Sequence, residues 1–133
     1  MTYMLDTVIA SDIIKGKNSN VIRRLTDVPI NDITISAVTE GELLFGLAKR
    51  GNPEALAQVI QEFLIRVDVL PWDRDAATAY GTLRADCEKR GVTLSANDMM
   101  IAAHAVATAS VLATDGGAFK HVGPPLQLEN WRA

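Results

Sequence analysis

Short apolar runs alternate along this chain with longer segments in which apolar residues recur every three or four positions. Tyr3–Leu5 reads as a first strand, and Val8–Lys15 as a helix closed by Gly16. Ser19–Leu25 has helical spacing through Val21, Ile22 and Leu25. The β-branched stretch Ile33–Val38 predicts a second strand, and Thr39–Gly51 a helix with Thr39 as its cap. Pro53 opens another helix, whose residues Leu56, Val59, Ile60, Phe63 and Leu64 make one apolar stripe. Val67–Leu70 is a third strand, and DRDAATAYGTLRADCEKRG a long helix ending at Gly91. SANDMMIAAHAVATA is helical and nearly apolar throughout, so it should be buried. Val111–Thr114 is a fourth strand, followed by a helical turn near Phe119 and a last edge strand in LQLENW.

Strands alternating with helices predict an α/β layered fold around a mostly parallel sheet of four to five strands. The strands lack apolar/polar alternation, as strands covered on both faces do. At 133 residues with 48% hydrophobic and 22% charged positions, the chain is expected to form one domain over 1–133, with a single sizeable core. No apolar run reaches the ~18 residues of a membrane span, and no signal-peptide pattern precedes one, so the expected compartment is the cytoplasm. The lone Cys87 has no partner for a disulfide and reads as an apolar helix position.

The net charge of −3 speaks against nucleic acid at first sight. Setting aside Asp6, Glu42, Asp98 and Asp115 moves the remainder to +1, with basic doublets at Arg23-Arg24, Lys49-Arg50 and Lys89-Arg90. The charge balance therefore neither supports nor excludes an RNA partner. Those four acids matter for where they fall. Asp6 and Asp115 end strands, while Glu42 and Asp98 sit in the first turns of helices. In open α/β sheets that edge, beyond the strand carboxyl ends, is where ligands bind. Taken singly, each acid is explained as a helix cap: Thr39-x-x-Glu42 and Ser95-x-x-Asp98 have capping-box spacing, and Asp6 and Asp115 suit N-caps. Caps need no common location, however, and these four share one edge. Carboxylates gathered in a half-buried pocket repel one another, and a divalent cation relieves that cost. An all-oxygen set without a Cys or His pair favours Mg²⁺ or Mn²⁺ over zinc, and such ions serve phosphodiester displacement. His104 stands alone and reads as a core histidine. The hydroxyls Thr7, Ser36, Thr39 and Thr114 are candidates to orient carboxylates or water.

The pieces MLDT (Asp6), SAVTEGELLFG (Glu42), AATAYGTLRADCEKRG, NDMMIAAHA (Asp98) and LATDGGAF (Asp115), closing on LENW, cover nearly the whole chain. In this order and at these distances they resemble PIN-domain proteins, specifically the VapC-type toxin ribonucleases of bacterial toxin–antitoxin pairs. The resemblance implies a PIN-like three-layer α/β/α fold and a Mg²⁺- or Mn²⁺-dependent endoribonuclease. It would block translation by cutting structured RNA, tRNA or rRNA, with Asp6, Glu42, Asp98 and Asp115 as catalytic and metal-holding residues. A homodimer is also implied, neutralised by a VapB-type antitoxin whose tail lies over the acidic pocket, near LLFGLAK. Operator DNA would be bound only through that antitoxin. Two positions depart from the family pattern. Val8 stands where Asn usually comes after the LDT triplet, and TDGGAF is a shortened fourth motif.

Rival classes fare worse. A haloacid-dehalogenase-type phosphatase needs a second acid two residues after the first, where Val8 stands. A receiver domain needs an acid pair beside the first strand and a lysine after a late one, and Lys120 is poorly placed. The remaining alternative is a catalytically impaired PIN-fold module that binds protein. An intact Asp6, Glu42 and Asp98 argues against it, because mutual repulsion gains a dead pocket nothing.

Overall fold

In a computed structural model describing residues 1–133, five short strands form one parallel sheet, and helices cover both of its faces. In chain order the elements are β1 (Tyr3–Leu5), α1 (Thr7–Lys15), α2 (Ser19–Asp27), a 3₁₀ turn at Ile30–Asp32 and β2 (Ile33–Ser36). Next come α3 (Ala37–Lys49), α4 (Glu54–Arg66), β3 (Asp68–Leu70), α5 (Arg74–Lys89), α6 (Ala96–Ala107), β4 (Val111–Thr114) and β5 (Gln127–Asn130). The strand order is β3-β2-β1-β4-β5, every neighbouring pair being parallel.

Alternation along the strands divides the core into two layers. Met4 and Leu112 point to one face, where they pack with Leu83 and Cys87 of α5 and with Met99, Ile101 and Ala105 of α6. Leu5, Ile33, Ile35 and Ala113 point to the other, where Ile9, Val21, Leu43, Phe63 and Trp131 meet them. All residues of β2 and β4 are buried, the hydroxyl residues Thr34, Ser36 and Thr114 included, as in strands covered on both faces. Every strand being parallel, all five carboxyl ends lie on one edge.

The expected elements are present, with local shifts. β2 ends two residues early because the Ser36 hydroxyl accepts the Val38 N–H at 3.1 Å and caps α3 there. Thr39 is therefore a buried residue inside α3 rather than its cap, and Glu42 lies in the second turn instead of the first. No helix forms near Phe119; that segment is a series of turns with the phenyl ring buried. Val59, expected on the buried stripe of α4, is 41% exposed. Gly16 does close α1, in the left-handed region at φ 64°, with its N–H directed at the carbonyls of Asp12 and Ile13. His104 is a core residue, with Nδ1 2.7 Å from the Ser36 hydroxyl, and burial lowers its pKa.

The C-terminal segment is held firmly. Trp131 is wholly buried, its ring tilted against Tyr3 at 5.6 Å, and its backbone N–H reaches the Thr114 carbonyl at 2.9 Å. This anchor sets the residues after β5 beside those after β4.

Candidate active site

Starting from β1, successive strands are added outward to β2 and β3; β4 and β5 then fill the opposite side. The direction of strand addition thus reverses between β1 and β4, the place where crevices open in such sheets. Asp6 comes directly after β1 and Asp115 directly after β4, so the two acids flank this opening, and the Asp6 N–H bonds to the Ala113 carbonyl at 2.9 Å.

Asp6 is buried, with Oδ1 accepting the Ile9 N–H at 2.9 Å as the N-cap of α1. Burial raises its pKa from 3.8 to about 6; the Thr114 hydroxyl and the Ile9 N–H pull it down, and the charges of Asp115 and Asp98 push it up. Asp98 is half-buried in the first turn of α6, whose cap Ser95 accepts the Asp98 N–H at 3.1 Å. Its pKa is also raised, again chiefly by burial, with the Ser95 hydroxyl opposing and Glu42 and Asp115 adding repulsion. Asp98 thus feels Glu42 and Asp115 and acts on Asp6, so the four predicted acids are linked through it across the sheet edge. As arranged here, no three of them stand close enough together to form a finished ligand shell.

Glu42 does not bond back to a helix cap. Its Oε1 accepts the Thr7 hydroxyl at 2.5 Å, and its Oε2 accepts the Asn97 amide at 3.2 Å. The Thr39 hydroxyl lies 3.3 Å from that of Thr7, so the helix after β1 and the helix after β2 are tied together through this carboxylate. Asp115 caps no helix either: its Oδ1 accepts the Gly117 N–H at 3.0 Å in a tight turn. Two of the four hydroxyls singled out in the sequence therefore meet acids, Thr7 at Glu42 and Thr114 at Asp6, whereas Thr39 meets only the Thr7 hydroxyl and Ser36 serves the α3 cap and His104.

Sequence reasoning missed Asn97, whose signal was adjacency to Asp98. It also missed Arg132, which gave no local signal. Arg132 grips Asp12 of α1 with two bonds, Nε to Oδ2 at 2.8 Å and Nη2 to Oδ1 at 2.9 Å, while Nη1 stands 3.8 Å from Asp115 Oδ2. Gly116, at φ 85°, has no Cβ where one would come within 3.3 Å of the Asn130 amide, so the turn after β4 can close onto the end of β5.

The donor set suits a hard cation: carboxylate oxygens only, one of them buried without a basic partner. Its chemistry and its place at the reversal point are those of an acidic edge rather than of a nucleotide cradle.

Comparison with known proteins agrees. The PIN domain family matches residues 3–124. The chain is 36% identical over 132 residues to the tRNA(fMet)-specific endonuclease VapC of Shigella flexneri, covering 98% of both chains. It is 33% identical to ribonuclease VapC2 of Rickettsia felis, again over 98% of each. Among solved structures, the VapBC2 complex of Rickettsia felis bound to a DNA fragment from its promoter contains a chain superposing with a TM-score of 0.90. That match has 32% identity and covers 98% of this chain and 99% of the other. The chain belongs to the PIN-domain family, among its VapC-type toxin ribonucleases. Nucleases of this family depend in general on a divalent metal, and the solved relatives are complexes with a VapB-type antitoxin. No helix is long and apolar enough to cross a membrane.

Proposed function

We propose that this chain, as one domain over residues 1–133, is a Mg²⁺- or Mn²⁺-dependent endoribonuclease that cuts structured RNA and thereby blocks translation in the cytoplasm. The observation that carries the reading is Asp6: a buried carboxylate at the sheet's reversal point, without a basic partner of its own and pushed up to about pKa 6. Charge kept unpaired at such cost is what a cation site requires. tRNA is the favoured RNA class, by similarity to the tRNA(fMet)-specific relative.

Asp6, Glu42, Asp98 and Asp115 would hold the ion, which when bound supplies charge to the scissile phosphate and lowers the pKa of the attacking water. The protein's part is positioning. Thr114 and the Ile9 N–H fix the Asp6 carboxylate, Thr7 and Asn97 fix both oxygens of Glu42, and Ser95 orients Asp98. A bound cation would offset the mutual repulsion among the acids. Val8, in the family's Asn position, is 40% exposed and contributes no side-chain hydrogen bond there.

The antitoxin's tail would lie beside Glu42, where Phe45 is 67% and Leu44 44% exposed on α3 while Leu43 and Leu47 of the same helix enter the core. A cavity of about 330 Å³ lined by Val38, Gly41, Glu42, Phe45 and Asn97 adjoins this patch. The antitoxin, and not this chain, would carry the contacts to operator DNA, and the toxin would pair as a homodimer.

The test is incubation of antitoxin-free protein with bacterial tRNA in Mg²⁺, in Mn²⁺ and in EDTA, beside Asp98→Asn. Discrete fragments that require metal and vanish in the variant are expected. Absence of cleavage together with weak metal binding would favour the impaired binding module.

A further inference from the structure

Residue 132 lies just beyond β5 as residue 115 lies just beyond β4, and the register Thr114–Asn130 places Arg132 at the same carboxyl edge as the acids. Its backbone is fixed on both sides: the N–H bonds to Asn130 Oδ1 at 2.9 Å, and the carbonyl accepts from Asn20 Nδ2 at 3.1 Å. The guanidinium plane is fixed too, because Asp12, itself buried, takes Nε and Nη2 as a two-point fork. Only Nη1 is left over. It points toward Asp115 Oδ2 at 3.8 Å, beyond hydrogen-bond range, with the side chain 39% exposed.

A staple for the C-terminal segment needs none of this orientation, since Trp131 already anchors that segment. An RNA phosphate arriving at an edge of four carboxylates does need a cation beyond any bound metal. Arg132 acts on Asp115 and Asp6 as well as on Asp12, so its charge reaches both acids that flank the opening. We propose that Arg132 is a substrate-binding residue, whose Nη1 donates to a phosphate oxygen of the RNA next to the acids, and that Asp12 is the positioning residue that aims it.

This rests on the RNA-cleavage reading, and the experiment separates the two. Wild-type protein, Arg132→Gln, Arg132→Lys and the double variant Asp12→Leu/Arg132→Leu are compared on a tRNA(fMet) transcript in Mg²⁺. Binding is measured on an Asp98→Asn background, so that the RNA stays intact, over a series of salt concentrations. Arg132→Gln should raise KM about 5- to 10-fold while leaving kcat within about twofold, and should flatten the slope of log Kd against log salt by about 0.7, one phosphate contact on an unpaired strand. Arg132→Lys keeps the charge and hence the slope, but loses the fork and raises KM. The double variant removes the buried charge along with its partner. It should melt near the wild-type temperature and still bind RNA as poorly as Arg132→Gln.

Wild-type KM and salt slope in a folded Arg132→Gln, or recovery of both in the double variant, would overturn the proposal and leave Arg132 a structural staple. If the wild-type protein cuts RNA in Mg²⁺ and not in EDTA, such a result sinks the Arg132 inference alone. If it cuts none, both readings fall together.

Discussion

Asp6 and Asp12 are both buried carboxylates, one capping α1 and the other inside it, and they are treated in opposite ways. Asp12 is gripped by a two-point arginine from the far end of the chain, so its charge is matched within the fold. Asp6 is hydrogen-bonded only by a backbone N–H and a hydroxyl; two further acids push its pKa up, and Arg132, bonded to Asp12, reaches it only through its field. One helix thus carries a carboxylate matched within the fold and another that is not. Burial alone, then, does not identify a functional acid. The informative property is a buried charge whose compensation is missing from the protein.

Substitutions at and around the two acids put this contrast at risk. The largest effect is expected on activity: Asp6→Asn or Asp98→Asn should lower RNA cleavage at least about a thousandfold, since each removes a charge from the proposed ion site. Gel assays of cleavage with circular dichroism of the variant would check it, and near wild-type cutting by either variant would remove the basis of the metal site. Next in size, Arg132→Ala should destabilise the fold by about 3 kcal/mol, because Asp12 is then left buried and unpaired. Urea unfolding gives the figure, and a loss under about 0.5 kcal/mol would mean that Asp12 is not matched after all.

Asp6→Asn should act in the other direction on stability. The unfolded chain releases this proton near pH 3.8, whereas the folded chain keeps it until about pH 6. Between those values the folded state holds the extra proton, so raising the pH through the window costs stability, and the full cost is present above it. At pH 7.5 without divalent ions the Asn variant should be more stable by about 3 kcal/mol. At pH 3.5 the gap should close, Asn being as good a cap as Asp. Urea midpoints at the two pH values decide this, and a gap independent of pH would contradict the raised pKa. Mg²⁺ should then raise the melting temperature of the wild type at pH 7.5 and leave Asp6→Asn nearly unmoved. The smallest change is Thr7→Val, which frees one oxygen of Glu42: cleavage should fall about 10-fold with stability altered by about 1 kcal/mol. Parallel kinetic and thermal measurements would show whether that hydroxyl serves the site or only the packing.

The strands and the acids were legible for different reasons. β1 and β4 can be read to the residue because they are central, covered on both faces and apolar up to the terminal Thr114. The end of β2 misled because Ile33–Val38 is uniformly favourable for a strand, and only the Ser36 hydroxyl turning onto Val38 N–H ends it. That two-residue error put Thr39 at the cap instead of inside α3 and made Glu42 look like a capping acid. In the fold Glu42 is bonded to Thr7 and Asn97, residues that are 35 and 55 positions away. Asp12 and Arg132 are separated by 120 positions, and nothing in either local sequence points to the other. Periodicity reports which face a residue occupies, but not which distant charge it meets there.

The strand order also sets a schedule. β1 is made first, yet it sits in the middle of the sheet with β4, more than a hundred residues later, as one of its two neighbours. While the chain is being synthesised, Asp6 waits without Asp98 or Asp115, and β1 has only one side of its ladder to pair with. Pairing over such a span makes folding slow relative to helical proteins of this size. A growing chain therefore has no complete acidic edge until residue 115 has emerged and β4 has docked, and on the proposed assignment of the site it would cut no RNA before then.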